Sequence, residues 1–415
     1  MWEELTGIKL VVVESQVNEM FPKMLQENRA KTGAYDVLNV VPSWMGDLVR
    51  AGALEPLDAY VDKYNYREEL ADIGDVYRLN QMKIGDTIYG FPDDGDVLIM
   101  YYRKDVFSDA ANMSEFKAKH GYELAAPTTW EQFYDISSFL TDKFAPDMYG
   151  SGFMRARGLL HYFYQERARI EGCKFFDAES MAATINGPGC VKALAGIVKD
   201  NTTMPPGVEA WGAIESLAAF NQGTIAMTQW WPPVGRWSAG YGMDDVAMSW
   251  VPPSVVGGKV GYALPPGGHP QLAAGFSMAV SADSKNKEAA YLFIQWINSK
   301  DISLQRVQLP YALRDPFRKS HFESASYQSL WPDAKEYLTT LQAGAVSGLL
   351  DLSIINTFAY EDAMGRGLQA VMGGADPQES LDDIAADWDK ITKKVGVDKQ
   401  RAAYKQWSSK PNAYP

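Results

Sequence analysis

Hydrophobic and polar positions along this chain fall into blocks that switch between strand-like runs and helix-like stripes. A short helix tail at residues 1–7 (MWEELTG), stopped by Gly7, leads into a predicted strand at 8–13 (IKLVVV). An amphipathic helix at 19–31 and a buried strand at 34–41 (AYDVLNVV) follow, and 52–57 (GALEPL) reads as a turn. The run at 97–102 (VLIMYY) has the length and composition of a strand covered on both faces. Further strands are expected at 148–154, 224–227, 260–264 and 274–281, with a long helix at 159–171 and another ending near Gly223. At 127–140 (PTTWEQFYDISSFL), Thr129 and Gln132 have capping-box spacing, and Trp130, Phe133, Ile136 and Leu140 form one inward stripe. Ala289, Leu292, Phe293, Trp296 and Ile297 recur with helical period. Near the end, Asp376, Pro377 and Glu379 supply an N-cap, a first-turn proline and a box partner ahead of Leu381, Ile384 and Trp388. Alternating strands and helices predict an α/β layer architecture.

A chain of 415 residues exceeds what one core usually holds, so two domains of about 200 residues are expected. The stretch 85–107 packs a tight turn (Tyr89, Gly90, Phe91, Pro92), three carboxylates (Asp93, Asp94, Asp96) and the apolar run into few residues. Carboxylates cannot sit deep without partners, so these are expected at the exposed start of the strand, in a cleft or at the surface. This stretch is the first expected crossing between lobes. The Gly- and Pro-rich 255–269 is the second, and 309–317 (LPYALRDPF) is the third. The resulting division is an N-terminal lobe of 1–103 and 265–311 and a C-terminal lobe of 104–264 and 312–415, hinged about an interlobe ligand cleft. There is no internal repeat or low-complexity segment.

With 39 basic and 52 acidic side chains the formal charge is −13, which disfavours nucleic acid as a partner. Apolar runs fall far short of the ~20 residues that span a bilayer, so no stable membrane insertion is expected. Cys173 and Cys190 suit neither a metal site nor a disulfide-dense scaffold; one bridge and two buried thiols both remain open. No signal peptide is visible, and a start on a helix tail suggests that an export signal and a first strand are missing.

The four histidines (His120, His161, His269, His321) have no metal-ligand spacing, and no phosphate loop or nucleophile elbow occurs, so neither metal nor cofactor is expected. The alternative is a glycoside hydrolase using Asp94 or Asp96, but nothing supplies the opposing carboxyl that such an enzyme needs. A neutral polyol explains the composition better. Sugar rings have apolar C–H faces and a hydroxyl rim, which Trp and Tyr rings and charged hydrogen-bonding groups recognise together. Asp94 and Asp96 offer acceptors, Arg157 and Arg314 donors, and Trp44, Trp230, Trp231 and Tyr360 platforms. Ser43, Gly275, Phe276 and Tyr311 complete the candidate set. The structural alternatives are a solvated turn at 93–96, a surface ion pair for Arg314 and a core position for Trp44. If Arg155, Arg157 and Arg314 all reach the cleft, the ligand is instead an acidic or sulfonated sugar.

In order, TGIKL at 6–10, YDVLNV at 35–40 with Trp44, LVRAGALEPLD at 48–58, IYGFPDDGDVLIMYYRKDVF at 88–107, PTTWEQF at 127–133 and FNQGTIAM at 220–227 form a recognisable series. It continues through GGHPQLAAGFSMAVS, KNKEAAYLFIQWI, LPYALRD and GADPQESLDDIAADWDKI. The chain resembles the extracytoplasmic solute-binding proteins of carbohydrate ABC importers, the family that includes maltose-binding protein. The resemblance implies two α/β lobes of the periplasmic binding protein fold, three hinge segments, a sugar between the lobes, delivery to membrane permease subunits and a monomeric, periplasmic, non-enzymatic protein. It also implies ligand contacts at Ser43 and Trp44, at Asp94 and Asp96, at Trp230 or Trp231, and at Tyr360.

Overall fold

The computed structural model describes residues 1–272 and 275–413, apart from the side chains of Asn18 and Arg78. Its strands are β1 (Val37–Val40), β2 (Lys83–Ile84), β3 (Thr87–Ile88), β4 (Gly90–Pro92), β5 (Ile99–Arg103), β6 (Met227–Trp230), β7 (Val260–Ala263) and β8 (Ser277–Val280). One sheet has the order β1-β8-β4 and another the order β6-β5-β7, with a small β2-β3 ribbon beside the first. Every pairing is antiparallel, with Val37 opposite Val280, Phe91 opposite Met278, Ile99 opposite Trp230 and Met100 opposite Ala263.

The strongest helix signals have the predicted physics. Thr129 caps the Trp130–Phe144 helix by accepting from the Gln132 N–H at 3.2 Å, and Trp130, Phe133, Ile136 and Leu140 are buried. The Gln132 side chain accepts from Thr128 instead of closing the box on Thr129. Asp376 caps Pro377–Val395 through the Glu379 N–H at 3.0 Å, with Leu381, Ile384 and Trp388 inside. The Lys287–Ile297 helix forms, but its expected stripe of Ala289, Leu292, Phe293, Trp296 and Ile297 is half-buried; Ala290, Tyr291 and Ile294 are in the core, and Trp2 of the Trp2–Thr6 helix packs on Phe293 and Trp296 with ring centroids 5.4 Å apart. Cys173 and Cys190 are joined by a disulfide.

Several strand expectations are corrected. Residues 8–13 form no strand: Val11 and Val12 are 79% and 81% exposed, and no described strand pairs with them, so apolar composition has nothing to bond to. The expected turn at 89–92 is strand β4, because Gly90 to Pro92 find partners on β8. Residues 148–154 make only an isolated bridge, Tyr149 with Ile225. The strand expected at 224–227 lies three residues later, as β6. The strand expected at 274–281 is β8, and its first residue, Ala274, lies outside the described residues. Residues 99–103 were expected in the first lobe, but β5 pairs only with β6 and β7. The chain therefore changes sheet ahead of β5.

The chain passes between the two sheets at 93–98 and again between β7 and β8. Residues 309–317 touch both neighbourhoods: the Gly95 N–H donates to Asp315 O, and the Arg236 guanidinium donates to the carbonyls of Val307, Ala312 and Arg314. One apolar core runs beneath both sheets. A second lies among the helices Leu160–Ile170, Pro188–Asn201, Thr357–Met372 and Pro377–Val395, and a third gathers Phe21, Trp44, Met45 and Leu48 against β1 and β8.

Candidate functional site

The three passages meet at the acidic bend. A Cβ on Gly95 would stand 2.0 Å from Pro316 O, so the first and third passages approach at a distance only glycine allows. Gly275, at φ +49°, lets the second come equally near: its N–H donates to Asp96 Oδ2 at 2.7 Å. Asp94 Oδ1 accepts from the Asp315 N–H at 2.8 Å, and the Asp93 N–H donates to Phe276 O at 2.6 Å. The carboxyl oxygens of Asp94, Asp96 and Asp315 gather within 4.8 Å of one another.

This bend is buried, contrary to the expectation of an exposed strand start, with Asp93, Asp94 and Asp96 at most 7% exposed. The partners that make this possible come from distant sequence. Asp93 receives Arg306 and Arg314, each at 2.6 Å, and Arg236 stands 3.5 Å from Asp315. Burial pushes the Asp93 carboxyl up, but the two guanidiniums together outweigh it and hold it below the ordinary range. Asp94 is pushed up to about 6 by burial, with Arg314 opposing and Asp93 reinforcing. Burial, then Asp94 and Asp315, pushes Asp96 well above the ordinary range. Chemically this is a cluster of buried acids that ties the passages together. By its oxygen set it suits a cation, but three arginines already bring positive charge to it.

A second group lies at the aromatic positions. Trp231 is half-buried and meets Tyr162 edge to face, with centroids 5.9 Å apart. The Tyr162 hydroxyl is pushed up by burial and then by the carboxylates of Asp351, Glu361 and Asp96. Trp44 Nε1 donates to Glu361 Oε2 at 3.3 Å. Burial, then Asp351, pushes Glu361 up to about 8, against hydrogen bonds from Trp44 and Ser43. Behind Tyr162 on the same helix, Glu166 Oε2 accepts from the Gln271 N–H at 2.9 Å and from Gln229 Nε2 at 2.8 Å, and burial pushes it up to about 8. Gln271 in turn donates to Asp351.

The other predicted positions separate. Trp230 is a core residue of β6, 6% exposed and packed on Trp237 and edge to face on Trp231, because the strand extends through it; its neighbour Trp231 is the indole that meets Tyr162. Tyr360 is buried among Phe176 and Trp388, with its hydroxyl on Thr392 and Gln400, so it is not a platform. Trp44 is buried between Phe21 and Phe358 and opens the Pro42–Arg50 helix together with buried Ser43. Arg157 is exposed and paired with Asp362 at 2.6 Å. Arg155 is buried, with Nε donating to Asn201 Oδ1 at 2.9 Å. Arg314 is no surface ion pair; it lies over Phe276 against Asp93. Tyr311 is exposed in the third passage.

Sequence reasoning missed Tyr162, Glu166, Asp351 and Glu361. One signal existed: Glu166 follows Leu159 and Phe163 and precedes Ile170 on the apolar face of a predicted helix, where a charge needs a reason.

The comparisons with known proteins follow this geometry. A family model described as bacterial extracellular solute-binding protein matches residues 2–302. A probable amino-acid ABC transporter periplasmic-binding protein of Sinorhizobium fredii is 25% identical over 72% of this chain and 64% of its own length. A mannitol-binding protein of Pseudomonas aeruginosa is 26% identical over 71% of this chain and 62% of its own. The chain thus spans less than two thirds of either relative. Among solved structures, an ABC transporter solute-binding protein of Agrobacterium radiobacter in complex with ribitol superposes with a TM-score of 0.77, at 24% identity, over 94% of this chain and 93% of that one. That likeness carries the two-lobed periplasmic binding protein fold.

Proposed function

Because the chain belongs to the family of bacterial extracellular solute-binding proteins, we propose that it captures a sugar or polyol between two lobes and delivers it to the permease subunits of an ABC importer. The family consists of binding proteins and not of enzymes. The observation that carries the ligand class is the aromatic group: Trp231 and Tyr162 offer C–H-binding faces, and Asp351 and Glu361, whose charges act on the Tyr162 hydroxyl, are the hydroxyl-binding groups. The ribitol and mannitol in the names of its relatives support the same class. The protein acts outside the cytoplasm, in the periplasm, as a monomer.

The lobes in this reading divide where the chain changes sheet: ahead of β5, then near 264–265, then near 311–312. Capture is a hinge motion in which a ligand touching both lobes shifts the population toward closure. The acidic-sugar alternative is disfavoured, since Arg155, Arg157 and Arg314 are each engaged elsewhere by Asn201, Asp362 and Asp93. The hydrolase alternative is disfavoured because Asp94 and Asp96 lie side by side on the buried bend, bonded to backbone N–H groups.

The test is a titration with ribitol, D-mannitol, D-glucose and maltose, following Trp fluorescence and melting temperature. A true ligand at a hundredfold excess over Kd stabilises by about 2.7 kcal/mol, a shift of several degrees. No shift with any of them overturns the proposal.

A further inference from the structure

The Thr357–Met372 helix starts without a cap of its own. Its N-cap residue, Asn356, sits in the left-handed region at φ 63°, ψ 38° and makes no side-chain cap hydrogen bond. A capping side chain normally belongs to a residue in extended conformation, from which it reaches back to the first N–H groups. Those groups are satisfied from 309 positions away. Asp47 Oδ1 accepts from the Asn356 N–H at 2.8 Å, and Oδ2 accepts from the Thr357 N–H at 3.1 Å.

Asp47 lies on the Pro42–Arg50 helix, which packs in the core around β1 and β8, whereas the Thr357–Met372 helix packs in the separate helical core with Leu160 and Trp388. Arg50 holds Asp47 at 2.8 Å and donates to Ile354 O at 3.4 Å. Ser353 Oγ donates to Ser43 O at 3.2 Å, Trp44 Nε1 reaches Glu361, and Phe21 stacks on Phe358 at 5.5 Å. The polar contacts that cross this patch join residues 43–50 to residues 353–361.

We propose that Asp47 is a latch for lobe closure, a carboxylate of one lobe that supplies the missing helix cap of the other. This rests on the two-lobed capture reading for what closure means. It names Asp47 as a positioning residue, whose oxygens do not touch the ligand but whose cap forms only when the lobes meet. The helix dipole strengthens the contact, since the cap is an anion at a helix N-terminus.

The test uses the full chain, first free and then with each polyol of the titration, because the cap forms only when the lobes meet. Amide hydrogen exchange reads the Asn356 and Thr357 N–H groups, and small-angle X-ray scattering reads the overall dimensions. In Asp47→Ala both amides are expected to exchange about tenfold faster, the size of one lost cap. The radius of gyration should rise at the same time, while amides of the Pro377–Val395 helix keep their protection. Asp47→Asn keeps one acceptor and the fold, and falls between. Unchanged exchange at both amides overturns the proposal. So does faster exchange with unchanged dimensions in both variants, which would make the cap a fixed joint and not a latch. A chain that shows the latch yet ignores every polyol would sink the importer reading and leave the latch standing.

Discussion

The acidic bend at 93–96 and the aromatic group around Tyr162 are made of the same residue types, carboxylates beside aromatic rings, yet packing gives them different work. At the bend, arginines and backbone N–H groups from the other passages consume the carboxylates, and the result is a joint. Around Tyr162, burial and then Asp351 push Glu361 up to about 8, and the described donors opposing this are the neutral Trp44 and Ser43. Residue type therefore identifies sugar-binding chemistry less well than the partners each group already has. The joint should govern stability, and the aromatic group affinity.

The largest break of that contrast would come from Asp93→Ala. It leaves Arg306 and Arg314 facing each other without their shared anion, and should cost about 3–5 kcal/mol in urea unfolding. A loss below about 1 kcal/mol would mean that the bend is no joint. Trp231→Ala should instead weaken polyol affinity by about ten- to a hundredfold, measured by calorimetric titration, with the unfolding midpoint little changed. An equal loss of affinity in Trp230→Phe would put the wrong indole in the cleft.

The third prediction concerns Glu166, which is fully buried and pushed up to about 8. Between the ordinary glutamate value and about 8, the folded chain holds a proton that the unfolded chain has released. Stability from this group is therefore full at low pH, falls as pH rises through that window and levels off above it. Melting temperature should drop from pH 5 to pH 8, and Glu166→Gln should flatten the slope by an amount worth about 1–3 kcal/mol. A wild-type slope left intact in the variant would contradict the assignment. The smallest effect is expected from Tyr360→Phe, which removes hydroxyl contacts with Thr392 and Gln400 and should cost about 1 kcal/mol of stability with no change in polyol affinity.

What the amino-acid sequence determined by itself was local. The caps at Thr129 and Asp376, the stripe from Trp130 to Leu140 and the buried run that became β5 follow from side-chain spacing and short-range hydrogen bonding, which neighbours in sequence settle among themselves. The tertiary structure alone decided which strands find partners, leaving residues 8–13 unpaired and carrying β6 on through Trp230. It also decided which polar groups lose water: Asp93 against two distant arginines, Tyr360 inside a helical core, Asp47 capping a helix 309 positions away. Strand pairing and desolvation depend on atoms brought together from hundreds of positions apart, and no local pattern encodes that distance.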